Sequence, residues 1–277
     1  YNTALGNGTL GANTTASNNT AVGYSALNLN TTGTSNVAVG KSAGAALTTG
    51  SYNTAIGIET LLVATTADSN TAVGREALKA NTSGANNTAL GKDALQANTT
   101  ASNNVAVGVD ALTLNTTGTQ NIAVGTQALA ANTTAGDNTA VGYQALTSNT
   151  TGDVNTAVGY KALYTNVDGD RSTAVGSQAL YTQDPASNVD MYNTAVGYAA
   201  GFYLTTGTHN TLIGGLAGDA ITTATWTTAV GTGAGGAITT GVQNTFIGGN
   251  AGDATTTGAY NTSIGYGSLG SNTTADN

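Results

Sequence analysis

The sequence predicts an all-β chain, a β-solenoid (β-roll) of sixteen 17-residue rungs. Three observations predict it. A glycine closing the phrase Asn-Thr-Ala-Val-Gly recurs from Gly6, Gly23 and Gly40 through Gly176, and again from Gly197 through Gly265. Its interval is 17 residues everywhere except the 21 between Gly176 and Gly197. A short fixed period is the signature of a stacked repeat. The residues before that glycine are strand formers. The residues midway between two glycines, typically Asn-Thr-Thr-Gly as at Asn149–Gly152, are turn formers.

Each rung reads in order from its glycine. One residue before it stands Val, Ile or Leu in all 16 repeats, and three before it Thr, Val or Ile in all 16. Two before it is Ala in 13 repeats, with Leu212, Phe246 and Ser263 as exceptions. Four before it is Asn in 14, with Ser172 and Thr227 as exceptions. This is too short, β-branched and glycine-bounded for a helix, so it reads as a short strand. The Asn column reads as an amide ladder along the stack. Three after the glycine is Ala in 13 repeats, which reads as a second short strand. The corner that follows ends on Gly or Ala in all 16.

Two further columns trade volume. Most rungs carry Leu four after the glycine and often Asn seven after, as Leu27 with Asn30 and Leu146 with Asn149. Others carry Gly and then an apolar residue: Gly44 with Leu47, Gly201 with Leu204, Gly218 with Ile221, Gly235 with Ile238. Gly252 with Thr255 is a partial exception. One core volume filled from either backbone position accounts for this, because a packed interior does not tolerate a void.

One repeat array, residues 1–277, accounts for the whole chain, with a four-residue insertion within about 183–192 that reads as a loop at one corner. Rungs ~4.8 Å apart would make a rod of roughly 75–80 Å. Neither end shows a polar capping repeat, so the chain reads as a segment of a longer fibre. Alternation in Thr-Ala-Val-Gly turns the small residues to one face and the Thr and Val to the other, with no charge on either. An apolar stripe outside a thin interior predicts that one chain is not enough and that copies pack together.

Composition excludes several classes. Only 7% of residues are charged, the net charge is −8 and no basic patch exists, so nucleic acid is not an expected partner. No run of 18 apolar residues exists, so membrane insertion is not expected. There is no cysteine and one histidine, His209, and no nucleophile–base constellation, so no enzyme is expected.

The repeat Asn-Thr-Ala-Val-Gly-Tyr-Gln-Ala-Leu followed by Asn-Thr-Thr-Gly resembles the repeat shafts of phage tail fibres and bacterial tail-fibre-domain proteins. It is also similar, more loosely, to the head repeats of trimeric autotransporter adhesins, whose coils are shorter than 17 residues. The resemblance implies a parallel homotrimer, an attachment role, and a place on a virion tail fibre or at the cell surface. The implied partners are other copies of the chain and a surface glycan or protein receptor. Two alternatives are an ice-binding β-solenoid, from the Thr-x-Val columns, and a subunit of a secreted extracellular filament.

Two groups are candidate sites. The column five before the glycine ends in Tyr192, His209, Trp226, Gln243 and Tyr260. Nothing in the core requires rings there, so Tyr192, His209, Trp226 and Tyr260 read as an exposed aromatic strip that binds a ligand, or as rings that pack on one another. The corner Asn166-Val167-Asp168-Gly169-Asp170 replaces the usual turn. With Asp153 and Asp184 one rung away on either side, it brings four carboxylates, Asp153, Asp168, Asp170 and Asp184, within reach as candidate calcium ligands, against a plain solvated turn. No other cofactor is expected. Asn98, Asn115 and Asn149 also lie in glycan-acceptor sequons, although the turn itself favours those residues.

Overall fold

The structure, a computed structural model, describes residues 1–276. Among them are eighteen strands and no helix, hence no helix long and apolar enough to cross a membrane. The chain divides into two compact units, Tyr1–Asp137 and Asn138–Asn277. The first holds β1 (Thr3–Leu5), β2 (Thr20–Val22), β3 (Val37–Val39), β4 (Thr54–Ile56), β5 (Thr71–Val73), β6 (Thr88–Leu90), β7 (Val105–Val107) and β8 (Ile122–Val124). Each pairs parallel with the next. The second unit stacks β9 (Thr139–Val141), β10 (Thr156–Val158), β12 (Thr173–Val175), β14 (Thr194–Val196), β15 (Thr211–Ile213), β16 (Thr228–Val230), β17 (Thr245–Ile247) and β18 (Thr262–Ile264) in the same way. A separate parallel pair joins β11 (Gly169–Asp170) to β13 (Val189–Asp190). Each unit is therefore a β-solenoid with one strand of the long sheet per rung.

Register aligns like with like: Thr156 pairs Thr173, Ala157 pairs Ala174 and Val158 pairs Val175. The insertion lengthens the step without breaking it, since Thr173 pairs Thr194. In every strand of the long sheet after β1 the central residue is buried and its two flanks are partly or wholly exposed. The small face is thus inside, as the alternation requires. The closing glycine permits the close stacking. At Gly159 φ is +138°, and a Cβ there would lie 2.5 Å from the carbonyl oxygen of Gly176 in the next rung.

The predicted second strand is not there. Around the Ala three after the glycine, the chain runs through turns, as over residues 24–29. The cause is backbone handedness. Ser25 and Leu27 have φ of 55° and 47°, and Lys161 and Leu163 have 53° and 51°. Left-handed residues at alternate positions cannot continue a pleat. A left-handed Leu costs about 1–2 kcal/mol, which its complete burial offsets. Hydrogen bonds still join neighbouring rungs there: Leu27 N–H donates to Ala43 O at 3.0 Å and Thr31 N–H to Thr48 O at 2.9 Å.

The core is a layer of Ala, large apolar side chains and Asn. Leu27, Leu78 and Leu146 are fully buried, as are Leu47, Leu204, Ile221 and Ile238 where Gly takes the Leu place. A Cβ at Gly44 would meet Leu47 Cδ1 at 3.0 Å and Leu27 Cδ2 at 3.1 Å, so the two columns do share one volume. The strand is a third source of filling. Leu212 and Phe246, at the usual Ala place, are fully buried, and a Cβ at Gly252 would lie 2.7 Å from the Phe246 ring. This explains why Gly252 needs no apolar residue at Thr255.

Two Asn ladders run through the core. In the predicted one, Asn36 N–H donates to Asn19 Oδ1 at 2.9 Å while Asn36 Nδ2 donates to Gly50 O at 2.8 Å. The second uses the corner Asn: Asn115 Nδ2 donates to Asn98 Oδ1 and to Gly118 O, both at 3.0 Å. Where Ser172 interrupts the first ladder, Gln183 replaces the corner Asn. Its amide donates to Asn166 Oδ1 at 3.1 Å and Ser172 Oγ at 2.9 Å, and accepts from Asn193 Nδ2 at 3.0 Å. One longer side chain thus ties the two ladders together beside the insertion, where Met191 fills the core.

Candidate functional site

The most regular exposed feature is the outer face of the sheet. Its column of Val, Ile and Leu includes Ile56, Leu90, Val175, Val196, Ile213 and Ile247, which are 36% to 47% exposed. The Thr column beside it is partly exposed. Within each unit these residues repeat in register with no charged side chain between them. The face is flat in chemistry: apolar, hydroxyl-bearing and uncharged.

The aromatic column lies at the entry to the strands, and its residues are left-handed, with φ of 51° at Tyr192, 60° at His209, 60° at Trp226 and 61° at Tyr260. Tyr192, Trp226 and Tyr260 are exposed and His209 is half-buried. Three of the four are brought together. Tyr192 and His209 have ring centroids 5.1 Å apart with planes tilted by 37°, and His209 stacks on Trp226 at 4.1 Å and 14°. Gln243 separates Trp226 from Tyr260. Arg171 continues the column behind Tyr192, with its guanidinium carbon 5.8 Å from the ring centroid. It also pairs with Asp190, whose other oxygen accepts from the Tyr192 hydroxyl at 3.1 Å. Coulombic attraction from Asp190 raises the Arg171 pKa. From Tyr192 to Trp226 the stacked rings cover one another's faces and offer edges to solvent, the packed arrangement of the two readings.

The four candidate calcium ligands form no shared donor set. Asp170 Oδ1 accepts the Asp153 N–H at 2.7 Å, Asp168 Oδ1 accepts the Thr151 hydroxyl at 2.7 Å, and Asp184 Oδ1 accepts the Val167 N–H at 3.1 Å. Each of these three carboxylates caps an adjacent rung. Burial raises the pKa of Asp170 and of Asp184, and the neighbouring carboxylates add to it. Among the described residues no group of three or more His, Cys, Asp or Glu is arranged to hold a metal ion. The sequon residues Asn98, Asn115 and Asn149 are fully buried, and each side-chain amide donates to a backbone carbonyl, so folded rungs do not present them for glycosyl transfer.

Sequence reasoning missed a second aromatic column, five residues after the glycine. Tyr164 stacks on Tyr181 at 5.1 Å and Tyr181 on Phe202 at 4.9 Å. Tyr143 and Tyr160, one after their glycines, stack at 5.7 Å. Lys161 lies over this cluster, its Nζ 4.8 Å from the Tyr164 centroid and 5.4 Å from that of Tyr160. Desolvation lowers the Lys161 pKa, but the surrounding tyrosines outweigh it and the net shift is upward. The signal was available: the ring positions are one rung apart, 17 residues from Tyr164 to Tyr181 and 21 from Tyr181 to Phe202 across the insertion.

With this geometry in view, no protein-family model matches the chain and no curated protein matches it.

Proposed function

We propose that the chain is the shaft of an adhesive fibre, a phage tail fibre or a cell-surface adhesin, in which three parallel copies pack through the outer faces of their sheets. The observation that carries this reading is the uncharged column of Val, Ile and Leu, with Ile56, Leu90, Ile213 and Ile247 at 39% to 47% exposure. An exposed apolar column repeated in register is a surface suited to burial against its own copies. Three is the number that the tail-fibre and adhesin resemblance implies. The fibre stands outside the cell or on a virion, acts without catalysis or cofactor, and contacts a glycan or protein receptor on the attached surface.

Beads carrying the chain test the attachment role. They should adhere to the recognised cell surface, and free chain should compete them off. Adhesion no greater than that of beads carrying a composition-matched, scrambled sequence would remove the adhesive reading.

One observation favours a second reading. The partly exposed Thr and Val columns run side by side in register, as in Thr156↔Thr173 and Val158↔Val175, a spacing suited to ordering water on an ice-binding face. A folded monomer that halts ice recrystallisation would select that reading. A trimer without effect on ice would remove it.

A further inference from the structure

The rung that begins at Gly197 differs from every other. It alone carries rings at one, five and six residues after its glycine: Tyr198, Phe202 and Tyr203. Between them stands Ala199, where the two preceding rungs place Lys161 and Gln178 and the next places Leu216. The small side chain leaves a cleft. Its walls include the three rings, and Gln178 and Asp219 from the flanking rungs line it as well.

The chemistry of this lining is mixed in a specific way. Tyr198 and Tyr203 are 59% and 56% exposed. Residues at the Tyr198 place in the flanking rungs are Ser177 and Gly215, which carry no ring to cover it. Tyr198 therefore differs from the stacked rings of the strip and offers a face. Phe202 and Tyr203 meet edge to face, centroids 4.7 Å apart and planes at 78°, which holds two walls at a right angle. Burial raises the Asp219 pKa, while its own N–H and that of Ala220 lower it, so this carboxyl is partly withdrawn from water. Gln178 adds a primary amide that both donates and accepts.

We propose that this cleft binds one neutral pyranose unit of a glycan. The apolar C–H face of the sugar lies on Tyr198, the usual complement of an amphipathic ring with an apolar body and a polar tip. Its hydroxyls donate to the Asp219 carboxylate and exchange hydrogen bonds with the Gln178 amide. The ligand is neutral because the cleft's one charged group is an acid and its unit is acidic. That unit holds two basic residues (Lys161, Arg171) and eight acidic ones, a net −6 that repels anionic glycans. The inference rests on the adhesive reading and names the class of receptor that the fibre would touch.

Saturation-transfer NMR on the intact chain tests it, with glucose, galactose, mannose and N-acetylglucosamine as probes and choline and sialic acid as charged controls. At least one neutral sugar should be saturated through its C–H face and bind with a millimolar Kd. Tyr198→Ala and Asp219→Asn should each weaken that binding about tenfold, as loss of an anchoring contact does. Tyr24→Ala, at an exposed tyrosine of the other unit, should leave it unchanged. Should Tyr198→Ala disturb folding, the Ala199 methyl resonance of the unaltered chain gives a second readout, and it should shift on titration with the bound sugar. Saturation of choline alone, of no sugar, or of a sugar that leaves the Ala199 methyl unmoved would overturn the proposal. Sugar binding without bead adhesion would remove the adhesive reading and keep the cleft. Bead adhesion without sugar binding would do the reverse.

Discussion

At the scale of single residues, space and backbone handedness decide what each column accepts. Gly159 and Gly265 both have left-handed φ, +138° and +121°. A Cβ at Gly159 would strike a backbone oxygen at 2.5 Å, while at Gly265 nothing lies within 4 Å. Both alanine variants carry backbone strain, but only Gly159→Ala must also separate two rungs. It should lower the melting temperature markedly more than Gly265→Ala, and equal losses would show that the clash is relieved elsewhere. The ladder makes a second claim. Asn104→Ala removes the acceptor of the Asn121 N–H and the donor to Gly118 O, both buried. Gly118 O keeps the Asn115 amide as a donor, so the cost is that of the acceptor lost to the Asn121 N–H, about 1–3 kcal/mol, read by denaturant unfolding. Asp170 makes a third. Burial raises its pKa, so the folded state binds its proton more readily than the unfolded one. That contribution to stability is full below the unfolded pKa and is lost as pH rises through the folded value. Asp170→Asn keeps the Oδ1 acceptor and should therefore be more stable than the parent at neutral pH. The difference should shrink as pH falls through the carboxylate range, and a difference that grows instead would reverse the assigned sign.

At the scale of the rung, one volume is filled from three backbone positions. Leu146→Ala empties it and should cost roughly 2–5 kcal/mol for a fully buried Leu. The rung of Gly44 and Leu47, which lies between the rungs of Leu27 and Leu61, supplies the remedy. Leu146→Gly combined with Asn149→Leu should recover much of the loss, because φ of 50° at Leu146 suits glycine. A double variant no more stable than Leu146→Ala would show that the corner Asn ladder outweighs the filling. Much of this was legible in the sequence. Gly44 with Leu47 announces the shared volume, and the Thr-Ala-Val phrase announces the strand and its inner face. The false second strand has a physical cause: nothing in Ser25-Ala26-Leu27 signals left-handed Ser and Leu, which only the turn geometry and burial impose. The role of Gln183 was hidden for a related reason. It joins Ser172 and Asn193, 11 and 10 residues away, so its importance lies in contacts between rungs. The strip at Tyr192, His209 and Trp226 was legible as a column, but whether rings show faces or edges depends on stacking that spacing does not encode.

At the scale of the whole molecule, the two units share one plan and differ in dress. Twelve of the fifteen aromatic residues fall in Asn138–Asn277, so the candidate contacts for a receptor concentrate there, while each unit carries its own apolar outer column. Self-association through that column is the central claim. Charge placed on it should undo the assembly without undoing the rungs. Val196→Glu with Ile213→Glu should dissociate the chains while the β circular dichroism persists, because both side chains already lie at the surface. The most direct test is the mass of the unaltered chain in solution by sedimentation equilibrium. The account predicts a single species of three chains, each of 27.0 kDa. A folded, soluble species with the mass of one chain, unchanged across concentration, would contradict it.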